Sequence, residues 1–292
     1  MSAAPSNLAY LRDHVDAIDD RMHDLLMERA ELIARIAASK TGEGVAFYQP
    51  AREAQILRRL AARHHGALPV ATVIRIWREM LAATVRIETD FAIAVFAPSQ
   101  AQHFWDLARD HYGSHAPIFA YYSIGQVIGA VSEGRAAVGI LPMPEEGDAN
   151  PWWRHLASHN DDAPRVLARL PFGPRGNARD NGADALVIGR GAQQLTGADR
   201  TLFLTEAAVD LSRAQFLGSL SSAGLRCTFL ASWEHAEGTL NLIEIDGFVP
   251  ISDPRVCSFH AQLGGALCRL LPFGGYALPL PPEASSPGAS KG

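Results

Sequence analysis

The chain is poor in cysteine and in positive charge, and it has no long apolar run. Its three cysteines, Cys227, Cys257 and Cys268, are an odd number and form no Cys-x-x-Cys pair. That argues against a disulfide framework or a thiolate zinc site and predicts buried thiols in a reducing cytoplasm. With 26 Lys and Arg against 31 Asp and Glu, the net charge is -5. Such a surface has no general attraction for nucleic acid or for an anionic membrane. Any anion binding must then come from locally arranged arginines and lysines. The longest apolar stretch, "FAIAVFAP" from Phe91 to Pro98, is too short to cross a bilayer. The first helical turns are acidic, with no basic-then-apolar leader. His111/His115 and His155/His159 have i,i+4 spacing but lack an acidic third ligand, so surface histidines and no metal are expected. "GRG" at Gly189–Gly191 follows a strand but lacks the rest of a phosphate-binding loop, so it is a weak motif.

What is present begins with three helical segments. Leu8, Leu11, Val15, Ile18, Met22, Leu25, Leu32 and Ile36 keep a three-four spacing, and the pattern continues to Lys40. At the standard rise this helix is roughly 50 Å long. "TGEGVAF" interrupts it with two glycines. A second helix starts at Pro50, a residue suited to the first helical position, and ends near "HHGALP". A third follows Pro69, with Val73, Ile76, Trp77, Met80, Leu81, Thr84, Val85 and Glu88 along one side. Two shorter helices cannot cover the whole of the first, and an uncovered apolar stripe of that size calls for a second copy of the chain.

From Phe91 the texture changes to alternating strands and helices. "FAIAVFAP" and "AAVGILPM" read as strands, with "SQAQHFWDLARDHYG" and "IGQVIGAVSEG" as helices between them, a βαβ-type unit with a parallel pair. "EEGDANPWWRHLASHNDDAPR" reads as a polar connection, and "RVLARLPF" and "DALVIGR" as strands. From Thr201, "TLFLTEA", "SRAQFLGSLSSAG", "RCTFLAS", "GTLNLIEIDG", "SFHAQLGGALCRL" and "GYALPL" give strand, helix, two strands, helix, strand. The Pro/Ser/Gly-rich tail is expected to be disordered.

The informative residues are cations on or beside apolar helix faces. Arg29 falls four residues after Leu25, and Lys40 lies eleven further on, close to three full turns, so both project from one side. Arg52 and Glu53 open the second helix, and Thr84 and Glu88 stand one turn apart on the third. A lone arginine beside an apolar stripe usually reaches out to water. Several cations with a hydroxyl and a carboxyl form a pocket for a small polyanion. Arg12 lies seventeen residues before Arg29, about 25 Å along the same helix. Both cannot grip one small ligand from a single chain, but in an antiparallel dimer Arg12 of one subunit reaches the pocket around Arg29 of the other.

On these residues positions 6 to 92 resemble the all-helical chorismate mutase domain, found alone or at the front of bifunctional aromatic-biosynthesis proteins. The agreement runs through "LRDHVDAIDDRMHDLLMERAEL", with Arg12 and Arg29 at the family's substrate-carboxylate cations. Lys40 matches its ether-oxygen lysine, and "REAQIL" supplies its Arg-Glu pair as Arg52 and Glu53. Thr84 stands where the family often has serine, Glu88 where it has glutamine or glutamate, and Gln49 where some relatives carry aspartate. The resemblance implies chorismate as substrate, prephenate as product, an intertwined homodimer, and Lys40 and Glu88 as the catalytic pair. It implies that Glu88 donates a hydrogen bond in its protonated form, and that Glu53 with Arg52 positions the ring hydroxyl.

The remainder resembles, in outline, a prephenate dehydratase followed by an ACT domain. "VFAPSQAQHF" replaces the Gly-Pro-x-Gly-Thr opening with Gln100 and Ala101 at the Gly-Thr, and "GILPMPEE" keeps Pro142 but not the polar triplet of Pro-Ile-Glu-Asn-Ser. Ala183-Asp184-Ala185 stands where Thr-Arg-Phe would be. Leu211-Ser212-Arg213-Ala214 and Ala231-Ser232-Trp233-Glu234 replace the phenylalanine-binding patterns. The expectation is a multidomain chain. An all-α three-helix domain over 1–92 precedes an α/β region, in which a reduced dehydratase-like part over 93–198 has lost its chemistry. An ACT-like βαββαβ unit over 199–280 and a tail over 281–292 follow. Two other readings stay open: a bifunctional mutase-dehydratase, or a non-catalytic regulator of an aromatic-pathway enzyme.

Overall fold

The structure is a computed structural model that describes residues 7–40, 48–158, 160, 162–176, 179, 183–236 and 238–281. The expected glycine break at 41–47 and the tail from 282 lie outside the described residues. The chain divides into two compact units, one formed by residues up to 48 with 84–90, the other by 49–83 with 91 onward.

In the first unit, α1 (Asn7–Lys40) is a single 34-residue helix. Its apolar stripe is open to solvent in the single chain: Leu8 is 57% exposed and Leu25 61%, with Leu11, Val15, Ile18, Met22, Leu32 and Ile36 close behind.

The second unit begins with α2 (Pro50–Arg63), where proline occupies the first turn and Glu53 faces the positive end of the helix dipole. It buries Ala51, Ala54 and Leu57. The helix α3 (Val70–Glu88) starts here and ends in the first unit. Its buried line is Ile74, Arg78, Leu81 and Val85, whereas Ile76, expected inside, is 47% exposed. The periodicity missed the line because a cation sits in the middle of it. Ala54, Leu57, Ile74 and Leu81 pack with Phe172 into one apolar cluster.

Nine strands form one sheet in the order β2-β1-β3-β5-β4-β9-β6-β8-β7. They are β1 (Ile93–Phe96), β2 (Ile118–Tyr121), β3 (Val138–Pro142), β4 (Arg165–Leu170), β5 (Ala185–Gly189), β6 (Asp199–Ala207), β7 (Cys227–His235), β8 (Gly238–Asp246) and β9 (Leu267–Ala277). The helices α4 (His103–Tyr112) and α5 (Ile124–Ser132) connect β1, β2 and β3, and β1 lies parallel to both its neighbours. The edge strand β2 was not foreseen, because its four half-exposed residues carry no alternating pattern. β5 and β4 then run antiparallel. The remaining four strands, with α6 (Arg213–Ser222) and α7 (Pro254–Leu263), follow the β-α-β-β-α-β order.

The two halves of the sheet join where Val166 of β4 registers with Gly274 of β9. Gly274 has φ +104 and a Cβ there would stand 2.1 Å from the Val166 carbonyl oxygen, so only glycine lets the strands meet. One apolar cluster includes Val127, Leu141, Trp153, Leu186, Leu202, Leu242 and Phe273; a second gathers Phe203, Phe216, Leu220 and Phe259 under α6 and α7.

Four expectations are corrected. The segment from Glu145 to Arg165 is not only a polar connection: Trp152, Trp153 and Leu156 form a buried 3₁₀ turn that anchors it in the core. The last helix stops at Leu263, before Gly264 and Gly265, and Leu267–Leu271 belong to β9 paired with β6. An apolar spacing that read through the two glycines had concealed the strand. Cys257 and Cys268 are exposed and Cys227 is half-buried, so none of the thiols is fully buried. Burial nevertheless pushes the Cys227 thiol up to about 12. His111 is buried on the inner face of α4 instead of lying at the surface.

Candidate functional site

In the first unit, α1 and the last turn of α3 supply Arg12, Arg29, Lys40, Thr84 and Glu88. Arg29 is half-buried and its Nη1 donates to Thr84 Oγ1 at 2.7 Å. Burial lowers the pKa of this guanidinium without neutralising it. The bond links α1 to α3 through a permanent cation and a hydroxyl. Glu88 lies half-buried one turn beyond Thr84 on the same helix. Arg12 is exposed on α1. Lys40 is the last residue of α1, and its side chain lies outside the described residues.

In the second unit, Gln49 precedes α2 and its carbonyl accepts the Glu53 backbone N–H at 3.1 Å, closing the first turn. Arg52 is exposed and does not face Glu53 as a surface pair would. Glu53 turns inward, where Arg78 Nη1 donates to its Oε2 at 2.8 Å. Both side chains are nearly enclosed, at 12% and 6% exposure. Burial raises the Glu53 pKa, and Arg78 opposes that rise through its charge and hydrogen bond. Arg78 also lies over the Phe172 ring at 5.2 Å from its centre.

Arg78 is the residue that sequence reasoning missed. The available signal was an arginine four after Ile74 and three before Leu81, a position that demands a buried carboxylate partner.

Further along the chain, Asp184 is a paired carboxylate. It accepts Arg169 Nη2 at 2.6 Å and Nε at 3.0 Å, and it pairs with Arg175. Among the described residues no cluster of His, Cys, Asp and Glu is arranged to hold a metal ion. None of their helices is long and apolar enough to cross a membrane.

Residues 11–89 match the family model described as chorismate mutase type II. The N-terminal segment is a chorismate mutase type II domain. A bifunctional chorismate mutase/prephenate dehydratase from Pseudomonas aeruginosa is 28% identical over 155 residues, covering 51% of this chain and 42% of that protein. The match thus spans less than half the length of the curated relative. Among solved structures, a quorum-quenching acylase, GqqA, aligns with a TM-score of 0.47 at 18% identity, covering 67% of this chain and 98% of its own. A prephenate dehydratase from Streptococcus mutans gives 0.46 at 15% identity, covering 65% and 98%. The matched residues take in all of α2 and α3 and nearly all of α1, so they fall in both compact units.

Proposed function

We propose that the chain is a homodimeric chorismate mutase whose α/β extension does not dehydrate prephenate. The observation that carries this reading is the half-buried Arg29 joined to Thr84 at 2.7 Å, with Glu88 one turn away. The rearrangement of chorismate to prephenate is pericyclic and requires no nucleophile, proton transfer or cofactor. The protein need only hold the compact conformer of the substrate and stabilise charge on the breaking ether oxygen.

Arg29 holds one carboxylate, and Arg12, donated from the second subunit, holds the other. Planar bidentate guanidiniums suit both. Lys40 and a protonated Glu88 donate to the ether oxygen. Gln49, Arg52, Glu53 and Thr84 complete the binding set, with Glu53 held in place by Arg78. The exposed stripe of α1 supports a dimer, because so large an apolar surface is costly to leave in water. In the extension, Asp184 occupies both Arg169 and Arg175 and supports the reading that no dehydratase chemistry remains. The proposed parts are the mutase domain over 1–92, a reduced dehydratase-like region over 93–198, and an ACT-like unit over 199–280, acting in the cytoplasm.

The test is consumption of chorismate by the purified chain, with the product identified. Prephenate should accumulate, and Arg29→Ala and Lys40→Ala should abolish turnover. Phenylpyruvate formed from added prephenate would overturn the silent extension in favour of a bifunctional enzyme. No turnover at all would overturn the mutase reading.

A further inference from the structure

A cleft of about 250 Å³ lies within the second unit, between the start of α3, the second half of α4 and the loop after β4. Ile74, Leu107, Pro171 and Phe172 give it apolar walls. Arg75, Arg78 and Arg175 also line it, with Asp110 as the one carboxylate facing them. The loop is held close: a Cβ on Gly173 would stand 2.9 Å from Ile74 Cγ2. None of these residues belongs to the proposed mutase set.

The cleft holds an unusual buried group. His111 is only 8% exposed and lines the cleft, yet its Nε2 is buried with no hydrogen-bond partner among the described residues. A buried ring nitrogen left unpaired costs free energy, and a ligand atom that meets it recovers that cost. Burial and the nearby Arg78 charge hold the imidazole well below its ordinary pKa, so it stays neutral at pH 7.

The charges limit what fits. Each of the three guanidiniums already has a carboxylate partner, Arg78 with Glu53, Arg75 with Asp110 and Arg175 with Asp184, so the lining carries no excess charge. An anion held by guanidinium N–H donors beyond these pairs must be small and singly charged. The apolar walls ask for an aromatic or cyclic hydrocarbon body. We propose that this cleft binds a small aromatic monocarboxylate, its carboxylate on Arg75 and Arg78 and its ring against the wall of Ile74, Leu107 and Pro171. The site shares Arg78 with the ion pair that holds Glu53, and it is tested without chorismate.

Calorimetric titration of the full chain with phenylacetate, and with neutral phenylacetamide, tests the proposal. The expected result is saturable one-to-one binding of phenylacetate and none of the amide at the same concentrations. Arg75→Gln, at an exposed position that folding tolerates, should weaken binding about tenfold or more, as losing a charge-assisted hydrogen bond does. Thr72→Trp at the exposed mouth should block it, and Arg226→Gln, far from the cleft lining, should leave it unchanged. The proposal is overturned if phenylacetate does not saturate, if the amide binds equally well, or if Arg75→Gln and Thr72→Trp both keep wild-type affinity.

Discussion

Two regions of this chain treat apolar side chains in opposite ways. The inner strands of the sheet bury theirs: Ile93, Val138, Leu186, Ile188, Leu202 and Leu242 have no exposed surface. Along α1, equally apolar residues at helical spacing stand about half exposed in the single chain. Burial of a leucine-sized side chain is worth about 1.5–3 kcal/mol, so the sheet region supplies its own stability while α1 leaves a comparable gain unused. The same contrast holds for charge. The second unit encloses Arg78 of α3 with its carboxylate partner Glu53 of α2, whereas Arg12 on α1 projects into solvent. In the proposed dimer both unfinished features of α1 are completed at once, the stripe by the second α1 and Arg12 by the second site.

The largest expected effect comes from charging the stripe. Met22→Asp with Leu25→Asp should give a monomer by sedimentation and lower chorismate turnover roughly a hundredfold or more, by separating the shared sites. The sheet should keep its near-ultraviolet signature. Leu186→Asp should do the reverse and unfold the sheet region at any concentration, because a carboxylate is expensive to bury without a partner. Next, Arg78→Ala should cost about 3–5 kcal/mol in denaturant unfolding, since it strands the buried Glu53. The double change Glu53→Leu with Arg78→Met should recover most of that loss, which a purely steric role for Arg78 would not allow.

A smaller effect concerns pH. The folded pKa of His111 is depressed, so its contribution is fully present above about pH 6.5 and is lost as pH falls toward the folded value. Stability should fall by about 1.4 kcal/mol per pH unit below that point, and His111→Gln should flatten the slope. Arg78 is the charge that faces this ring. The smallest effect is at α7, where the Asp253 side chain accepts the Arg255 N–H at 2.9 Å. Asp253→Ala should cost about 1 kcal/mol in thermal unfolding.

Much of the fold was legible because its signals are local. The spacing of Leu8 to Ile36 gives α1, Pro50 and Pro69 mark the starts of the next two helices, and the β-branched runs give β1, β3 and β8. The same spacing also gave the exposed stripe, since two shorter helices cannot cover a longer one. What stayed hidden depends on partners distant in sequence. Arg78 on the buried line of α3 makes sense only with Glu53, twenty-five residues earlier. The i,i+4 spacing alone puts His111 at the surface, because nothing within α4 reveals that the cleft loop lies over it. The start of β9 was obscured by a helical spacing that ran through Gly264 and Gly265, and only the pairing with β6 identifies it as strand. Charge identity and spacing propose Arg29 and Thr84 as site residues, and the structure joins the two by a hydrogen bond. The inward turn of Glu53 depends on tertiary packing.

The central claim is that each mutase site takes Arg29 from one α1 and Arg12 from the other. Arg12→Ala and Arg29→Ala should each be inactive alone, and chorismate turnover by an equal mixture refolded together measures the claim directly. Half of the dimers would then be mixed, each with one intact and one doubly altered site, so about a quarter of wild-type turnover should return. A mixture that stays inactive, or an Arg12→Ala chain that turns over chorismate at the wild-type rate, would contradict the account.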